Sequence, residues 1–172
     1  EICACLVGSE MCIRDRSYDE ASGLLYWKHS KDKSAQWNSR LAGKVAGCKT
    51  KAGYVTLNFQ RKTYKAHRVA WYIKTGEIPD FQIDHKDLDK SNNSWSNLRK
   101  ATPVLNNANK IVQKNSLTGI KGVGYRSDIN KWSARIGYQN KVIWLGYHST
   151  QEGAENAYKE KAKELFGDFA RF

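Results

Sequence analysis

The chain is poor in most features that would mark a secreted, fibrous or membrane-spanning protein. Its 172 residues include two prolines, one methionine and four cysteines, three of them at Cys3, Cys5 and Cys12. Beyond residue 16 a single cysteine, Cys48, remains. One thiol excludes a disulfide framework or a cysteine-built zinc centre there, and it is compatible with a reducing setting. No apolar run reaches the roughly 18 residues that a membrane-crossing helix needs. Acidic side chains are scarce too: 17 stand against 29 Lys and Arg, for a formal net charge of +12. What is present suits a folded chain. The hydrophobic fraction is 40%, with six Trp and nine Tyr, enough for a core and too much for a disordered arm. So large a basic excess on a chain of one or two domains favours a polyanionic partner, nucleic acid before an acidic membrane surface.

The first sixteen residues stand apart. Leu6-Val7-Gly8-Ser9-Glu10-Met11-Cys12-Ile13-Arg14-Asp15 resembles the translation of a transposon-type sequencing adapter, and Arg16 fits the codon that follows. The codons CTC GTG GGC TCG GAG ATG TGT ATA AGA GAC encode the stretch residue for residue. Residues 1–16 are therefore expected to be adapter-derived and are set aside from the fold reading.

Residues 17–65 read as turns and short strands. Strands are predicted at 24–27 and over the alternating stretch 53–59, with a Gly- and Lys-rich loop at 40–50 between them. Residues 64–74 are predicted helical, with Ala66, Val69, Ala70 and Ile73 on one face and Gly76 and Pro79 ending the run. A short strand at 81–85, a polar loop at 86–93 and a second short element at 95–100 come next. Thr102 then caps a helix with Pro103 in its first turn, and Leu105, Ala108, Ile111 and Val112 recur at helical spacing. The polar stretch 114–119 is the expected domain boundary. Three short strands follow at 123–126, 132–138 and 142–147. A last helix is expected to be capped by Ser149, with Glu152 completing a capping box and Ala154, Ala157, Tyr158, Lys161 and Leu165 as its buried stripe. Residues 114–149 hold six basic side chains and one acidic, while 150–172 hold four and five. A basic sheet backed by a near-neutral helix is expected to turn the sheet to the polyanion.

The chemistry gathers at Asp84 and His85, with Asn97 and Asn106 downstream. Cutting a phosphodiester needs a base for water and a divalent ion for the charged phosphoryl group. His85 is the residue type for the base. Asp84 offers a hard carboxylate oxygen and Asn106 an amide oxygen, a set suited to Mg²⁺ (or another divalent ion such as Mn²⁺) rather than zinc. Asn97 is placed to hydrogen-bond the His85 ring. Neighbouring strand residues point to opposite faces, so Asp84 and His85 share a site only if the strand ends or bends there. His67 reads as structural or as a backbone contact to DNA, and His29 and His148 as surface histidines.

The run Ala66-His67-Arg68-Val69-Ala70-Trp71, then Ile83-Asp84-His85-Lys86-Asp87, then Asn92-Asn93-x-x-x-Asn97-Leu98-Arg99-x-x-Thr102-x-x-x-Asn106, resembles the HNH endonuclease family. The similarity covers about 18–110 and is greatest to its phage-type homing branch. It implies a ββα-metal fold, Asp84 and Asn106 as metal ligands, His85 as general base, Asn97 orienting it, Arg68 and Arg99 against DNA, and 5′-phosphate and 3′-hydroxyl products. Two positions depart from the pattern. The third letter of the motif is Asn106, not His, and the loop reads Asp87-Leu88 where Asp-Gly is usual.

Farther on, Gly122-Val123-Gly124-Tyr125-Arg126, Lys131-Trp132-Ser133-Ala134-Arg135-Ile136, Trp144-Leu145-Gly146-Tyr147 and Ala154-x-x-Ala157-Tyr158 are similar to the AP2 DNA-binding domain, over about 118–170. That resemblance implies a three-stranded antiparallel sheet on one helix, with Arg126, Lys131, Trp132, Arg135 and Trp144 against DNA; a buried place between sheet and helix suits Trp132 equally well. Arginine reads guanine edges in the major groove, which admits such a sheet.

The expectation is an α+β chain of two modules, an HNH nuclease at 17–113 and an AP2-like binding domain at 114–172. It would hydrolyse double-stranded DNA as a homing-type enzyme of a phage or mobile element. It would act in the cytoplasm of a bacterial or phage-infected cell, away from membranes and with a monomer favoured. The alternatives are a DNA-binding regulator on a degraded HNH scaffold and, more weakly, an RNA binder.

Overall fold

A computed structural model describes residues 15–172, apart from residues 60, 113–115 and 117. Most of the adapter-like stretch, with Cys3, Cys5 and Cys12, lies outside the described residues. Its last two residues do not stay apart from the fold. Asp15 O accepts a bond from Lys28 N at 2.8 Å, and Arg16 opens the first strand, where its guanidinium lies 3.9 Å from the ring centre of its cross-strand partner Trp27.

Contacts divide the chain into two compact units, one ending at Ala101 and the other running Thr102–Phe172. The first unit opens with an antiparallel hairpin, β1 (Arg16–Tyr18) and β2 (Leu25–Trp27). A helix not foreseen from periodicity follows, α1 (Ala35–Leu41), capped by the Ser34 side chain on Trp37 N. Next come β3 (Cys48–Lys49), β4 (Val55–Phe59) and β5 (Lys62–Lys65), an antiparallel sheet in that order. The predicted helix 64–74 forms as α2 (Ala66–Thr75), because Tyr64 and Lys65 are drawn into pairing with β4. Its Ala66, Val69 and Ala70 are buried, at the i, i+3, i+4 spacing of one helix face. The unit closes with β6 (Gln82–His85) and β7 (Leu98–Ala101), paired antiparallel. Leu25, Ala46, Leu57, Ala66 and Val69 make one core cluster, and Ala70, Ile83 and Leu98 another.

The second unit begins with α3 (Pro103–Ala108), whose N-cap Thr102 accepts from Leu105 N at 3.3 Å. The division therefore falls ahead of the polar stretch 114–119. The physical reason is apolar contact: Val104, Leu105 and Ala108 pack on the core of this second unit. Strands β8 (Val123–Arg126), β9 (Lys131–Tyr138) and β10 (Lys141–His148) form an antiparallel sheet with β9 in the middle. Helix α4 (Gln151–Phe166) covers one face. Its cap is Thr150, not Ser149: Thr150 is extended and its side chain accepts from Gly153 N at 3.1 Å. The fully buried ridge is Ala154, Tyr158, Ala162 and Phe166, with Ala157 and Leu165 at its margin. Lys161 instead reaches Glu164 at 2.6 Å. Among the described residues no helix is long and apolar enough to cross a membrane.

Candidate active site

The site is built on the β6–β7 hairpin. In its register Asp84 faces Arg99 and His85 faces Leu98. Strand β6 ends at His85, which meets the condition for two neighbouring residues to serve one site. Both side chains are buried, at 5% exposure each. The polar loop 86–94 then turns back, and a 3₁₀ turn, Trp95–Asn97, leads into β7.

Asn97 does not touch the His85 ring as expected. It stands at the end of the 3₁₀ turn, where its amide closes the loop instead. Oδ1 accepts from Asp87 N at 3.0 Å, while Nδ2 donates to Asp87 Oδ1 at 2.9 Å and to Asn92 O at 2.8 Å. Asp87 is the loop's anchor, and Asn92 Nδ2 reaches its other oxygen at 2.6 Å. Burial works to raise the Asp87 carboxyl, but bonds from Asn92, Asn97 and the Asp89 N–H outweigh it and hold it below the ordinary carboxylate range. Within this loop Leu88 takes a φ of +70°, at the position where the HNH resemblance expects glycine. A left-handed conformation costs a side-chain-bearing residue about 1–2 kcal/mol.

The residue that does meet His85 is Asn93, 2% exposed, with Oδ1 at 3.1 Å from His85 Nε2. Asn93 Nδ2 donates to Ser91 O at 3.3 Å, which fixes Oδ1 as the atom turned to the ring. A carbonyl oxygen can only accept, so this bond is made by the tautomer that carries the proton on Nε2.

Asn93 is held in turn by the N-terminal hairpin. Tyr18 OH donates to Asn93 O at 2.7 Å, and Trp95 N donates to Glu20 O at 2.9 Å. Burial, then Glu20 and Asp19, push the Tyr18 hydroxyl up to about 12, so it remains a donor. Gly23, at φ +73°, packs directly on the 93–94 backbone: a Cβ there would lie 2.2 Å from Ser94 N. No sequence signal singled out Tyr18 or Gly23, because their role depends on contacts some seventy residues away along the chain.

On the other side of His85 stands an aromatic wall. The His67 ring lies 5.1 Å from the His85 ring at 86°, and Tyr54 lies 5.7 Å from His67 and 6.3 Å from His85. His67 is 5% exposed and its Nδ1 is buried without a hydrogen-bond partner. Burial, reinforced by His85, Lys65 and Arg68, pushes its pKa down to about 3, so it is a neutral packing residue. The consequence for stability has a definite sign. The unfolded chain takes up a proton near pH 6.5 that the folded chain refuses until about pH 3. Stability from this group is complete above pH 6.5. It is expected to fall as pH drops toward 3, by up to about 1.4 kcal/mol per pH unit. Urea melts from pH 7 to pH 4 should show that slope, flattened in His67→Phe; an unchanged slope would mean that the ring is charged or exposed.

Two arginines expected at DNA are turned inward. Arg68 donates Nη1 to Phe81 O at 3.1 Å and Nη2 to Pro79 O, so it braces α2 against the segment before β6. Arg99 Nε lies 2.8 Å from Asp84 Oδ2, and the two side chains are 14% and 5% exposed. In the second unit, Val123, Ala134 and Ile136 face the helix, which leaves the opposite face to Lys131 and Arg135 on β9 and to Trp144, the cross-strand partner of Arg135. Trp144 is 51% exposed and stacks edge-on with Tyr147 at 5.0 Å. Arg126, also exposed, is paired with Asp128 through two bonds of 2.9 and 2.7 Å. Trp132 takes the buried alternative: it packs on Tyr125 and against the core.

Among the described residues no three His, Cys, Asp or Glu converge as a metal cage. The donor chemistry still fits a hard divalent ion, which is commonly held by one or two protein oxygens plus substrate phosphate. Asp84 supplies a buried carboxylate, a group with about four acceptor sites. Asn106, half-buried, lies on α3 of the second unit.

The sequence profile of the HNH endonuclease family matches residues 64–108. An uncharacterized HNH endonuclease of Acanthamoeba polyphaga mimivirus is 36% identical over 122 residues, 70% of this chain and 62% of that protein. A solved structure on DNA binding and cleavage by the HNH homing endonuclease I-HmuI is 28% identical, covering 55% of this chain and 50% of that one, with a TM-score of 0.38. The chain thus spans less than two thirds of either. The match to the HNH endonuclease family, residues 64–108, takes in His85 and its asparagine-braced loop on the β6–β7 hairpin.

Proposed function

We propose that this protein is a DNA endonuclease that hydrolyses phosphodiester bonds with a divalent metal ion and with His85 as general base. The observation that carries the reading is the Asn93–His85 bond. In this reading the bond keeps the proton on Nε2 and leaves Nδ1 to act as the base, in a buried ring packed against His67. In this reading Nδ1 takes a proton from water as the water oxygen bonds to phosphorus. The bond to the 3′ oxygen then breaks and that oxygen takes a proton from solvent water, leaving a 5′-phosphate and a 3′-hydroxyl. Asp84 would hold the metal. The ion, when bound, would supply positive charge to the phosphoryl oxygens. Arg99 orients the Asp84 carboxylate, and Asn97 shapes the loop that carries Asn93.

The second unit supplies affinity. Its outer sheet face, with Arg126, Lys131, Arg135 and Trp144, has the charge and aromatic surface of an AP2-like DNA reader. A cutting unit joined to a separate reading sheet suits a homing-type nuclease that cuts at preferred sites in double-stranded DNA.

The chain, mixed with supercoiled plasmid and Mg²⁺, is expected to nick or linearise it, to stop with EDTA, and to leave ends that DNA ligase reseals. Binding without cleavage would favour a non-catalytic DNA-binding regulator. A further expected outcome separates structure from chemistry at Asp84. Removing one partner of a buried ion pair costs about 3 kcal/mol, whereas replacing both with apolar residues of similar volume is often neutral. Asp84→Ala should therefore lose both stability and cleavage. Asp84→Leu with Arg99→Met should recover much of the stability, read by urea melts, and none of the cleavage. Cleavage by the double variant would remove Asp84 from the chemistry.

A further inference from the structure

The turn between β3 and β4 meets the β6–β7 loop beside His85. The Lys90 stem lies over the turn beside Gly53: a Cβ built there would stand 3.9 Å from Lys90 Cβ and Cδ, ordinary packing distance. The Lys90 ammonium then sits 3.4 Å from Ala52 O and 5.0 Å from the centre of the Tyr54 ring. Lys65, at the junction of β5 and α2, brings its own ammonium 4.5 Å from the same ring. Two cations from distant parts of the sequence thus converge on one half-buried tyrosine, whose ring lies 6.3 Å from that of His85.

Neither lysine makes an ion pair among the described residues, and both are exposed. The nearby acid, Asp89, is held low in pKa chiefly by its Ser91 bonds, and Lys49, which also bonds Ser91 Oγ at 3.0 Å, adds to the local positive charge. An exposed cation–π contact is worth only about 0.5–1 kcal/mol, too little to account for two like charges at one ring. A phosphodiester anion bound by these two ammonium groups answers both charges.

We propose that Tyr54, Lys65 and Lys90 form a backbone-phosphate subsite that grips the cleaved DNA strand at a phosphate next to the one attacked. This rests on the nuclease reading above. It adds a positioning role: a strand held here is aligned with the His85 ring, and alignment of this kind raises the rate of an attack that the base alone would not direct.

The test uses the full chain, with Lys65→Gln/Lys90→Gln and Tyr54→Ala. The control, Lys31→Gln/Lys33→Gln, loses the same charge from the loop before α1. Binding of a fluorescent random-sequence duplex is measured by anisotropy over a series of NaCl concentrations, and plasmid nicking over a series of plasmid concentrations. The double lysine variant should lower the slope of log affinity against log salt by about 1. It should also raise the half-saturating plasmid concentration about tenfold with little change in maximal rate, while the control leaves the half-saturating concentration near wild type. Tyr54→Ala should lose about tenfold in maximal rate. If the lysine variant matches the control in both measurements, the subsite is wrong even though the wild type cleaves. If the wild type binds but never cleaves, the nuclease reading fails and the salt slope still decides whether a phosphate sits here.

Discussion

Asn97→Ala is expected to lower stability by about 2–4 kcal/mol, the sum of several buried hydrogen bonds of which one goes to a carboxylate. The residue is 7% exposed, and its amide satisfies Asp87 N, Asp87 Oδ1 and Asn92 O together. Alanine would leave the Asp87 N–H and the Asn92 carbonyl without these partners and untie the loop at its base. Because Asn93 is the next residue after Asn92, the same change should release the bond to His85 and reduce cleavage at least tenfold. Urea melts and plasmid nicking on the same preparation read both effects. A variant that loses less than about 1 kcal/mol would show that the Asp87 loop stands without Asn97.

Gly23→Ala should be nearly as damaging, although Gly23 touches neither His85 nor Asp84. Alanine there would carry a left-handed φ and would also place Cβ at 2.2 Å from Ser94 N and 2.3 Å from Asn93 C. Backbone cannot give way cheaply, so the hairpin or the 93–94 segment must move. Strain of this kind belongs with the larger single-residue effects, about 3 kcal/mol. Gly43→Ala is the control, since Gly43 has φ +79° and nothing within 4 Å of the added atom. It isolates the conformational cost, about 1 kcal/mol. If the two variants are equally stable and Gly23→Ala cleaves like wild type, the hairpin does not position Asn93.

The local signals in the sequence located elements better than they oriented side chains. The alternation at 53–59 and the apolar spacing from Ala66 to Ile73 place β4 and α2, because burial repeats with the period of the backbone. Helix α1 escaped that reading for the converse reason: Ala35–Leu41 is mostly polar and its one buried residue is Asn38, so no apolar stripe reveals it. Residue type located Asp84 and His85, but not what holds them. Arg99 is their near neighbour through antiparallel register, which sets it opposite Asp84 and turns it from DNA to an ion pair. Arg68 and Trp132 have the chemistry of DNA contacts, yet each is directed inward by neighbours far along the chain. Asn93 and Asn97 are alike by type and four residues apart, and the loop's closure on Asp87 decides which one reaches the histidine. Leu88 shows the limit in another way: the missing glycine was visible, while the positive φ it would have eased was not.

The role of His85 is tested most directly by single-turnover cleavage of plasmid DNA by the wild type and by His85→Ala at saturating protein, with bound DNA measured by gel shift on the same samples. A general base contributes about 10²–10⁴ in rate. Equal occupancy, with cleavage reduced by at least about a hundredfold in the variant, is the expected result. Equal rates at equal occupancy would contradict the assignment of His85 as the base.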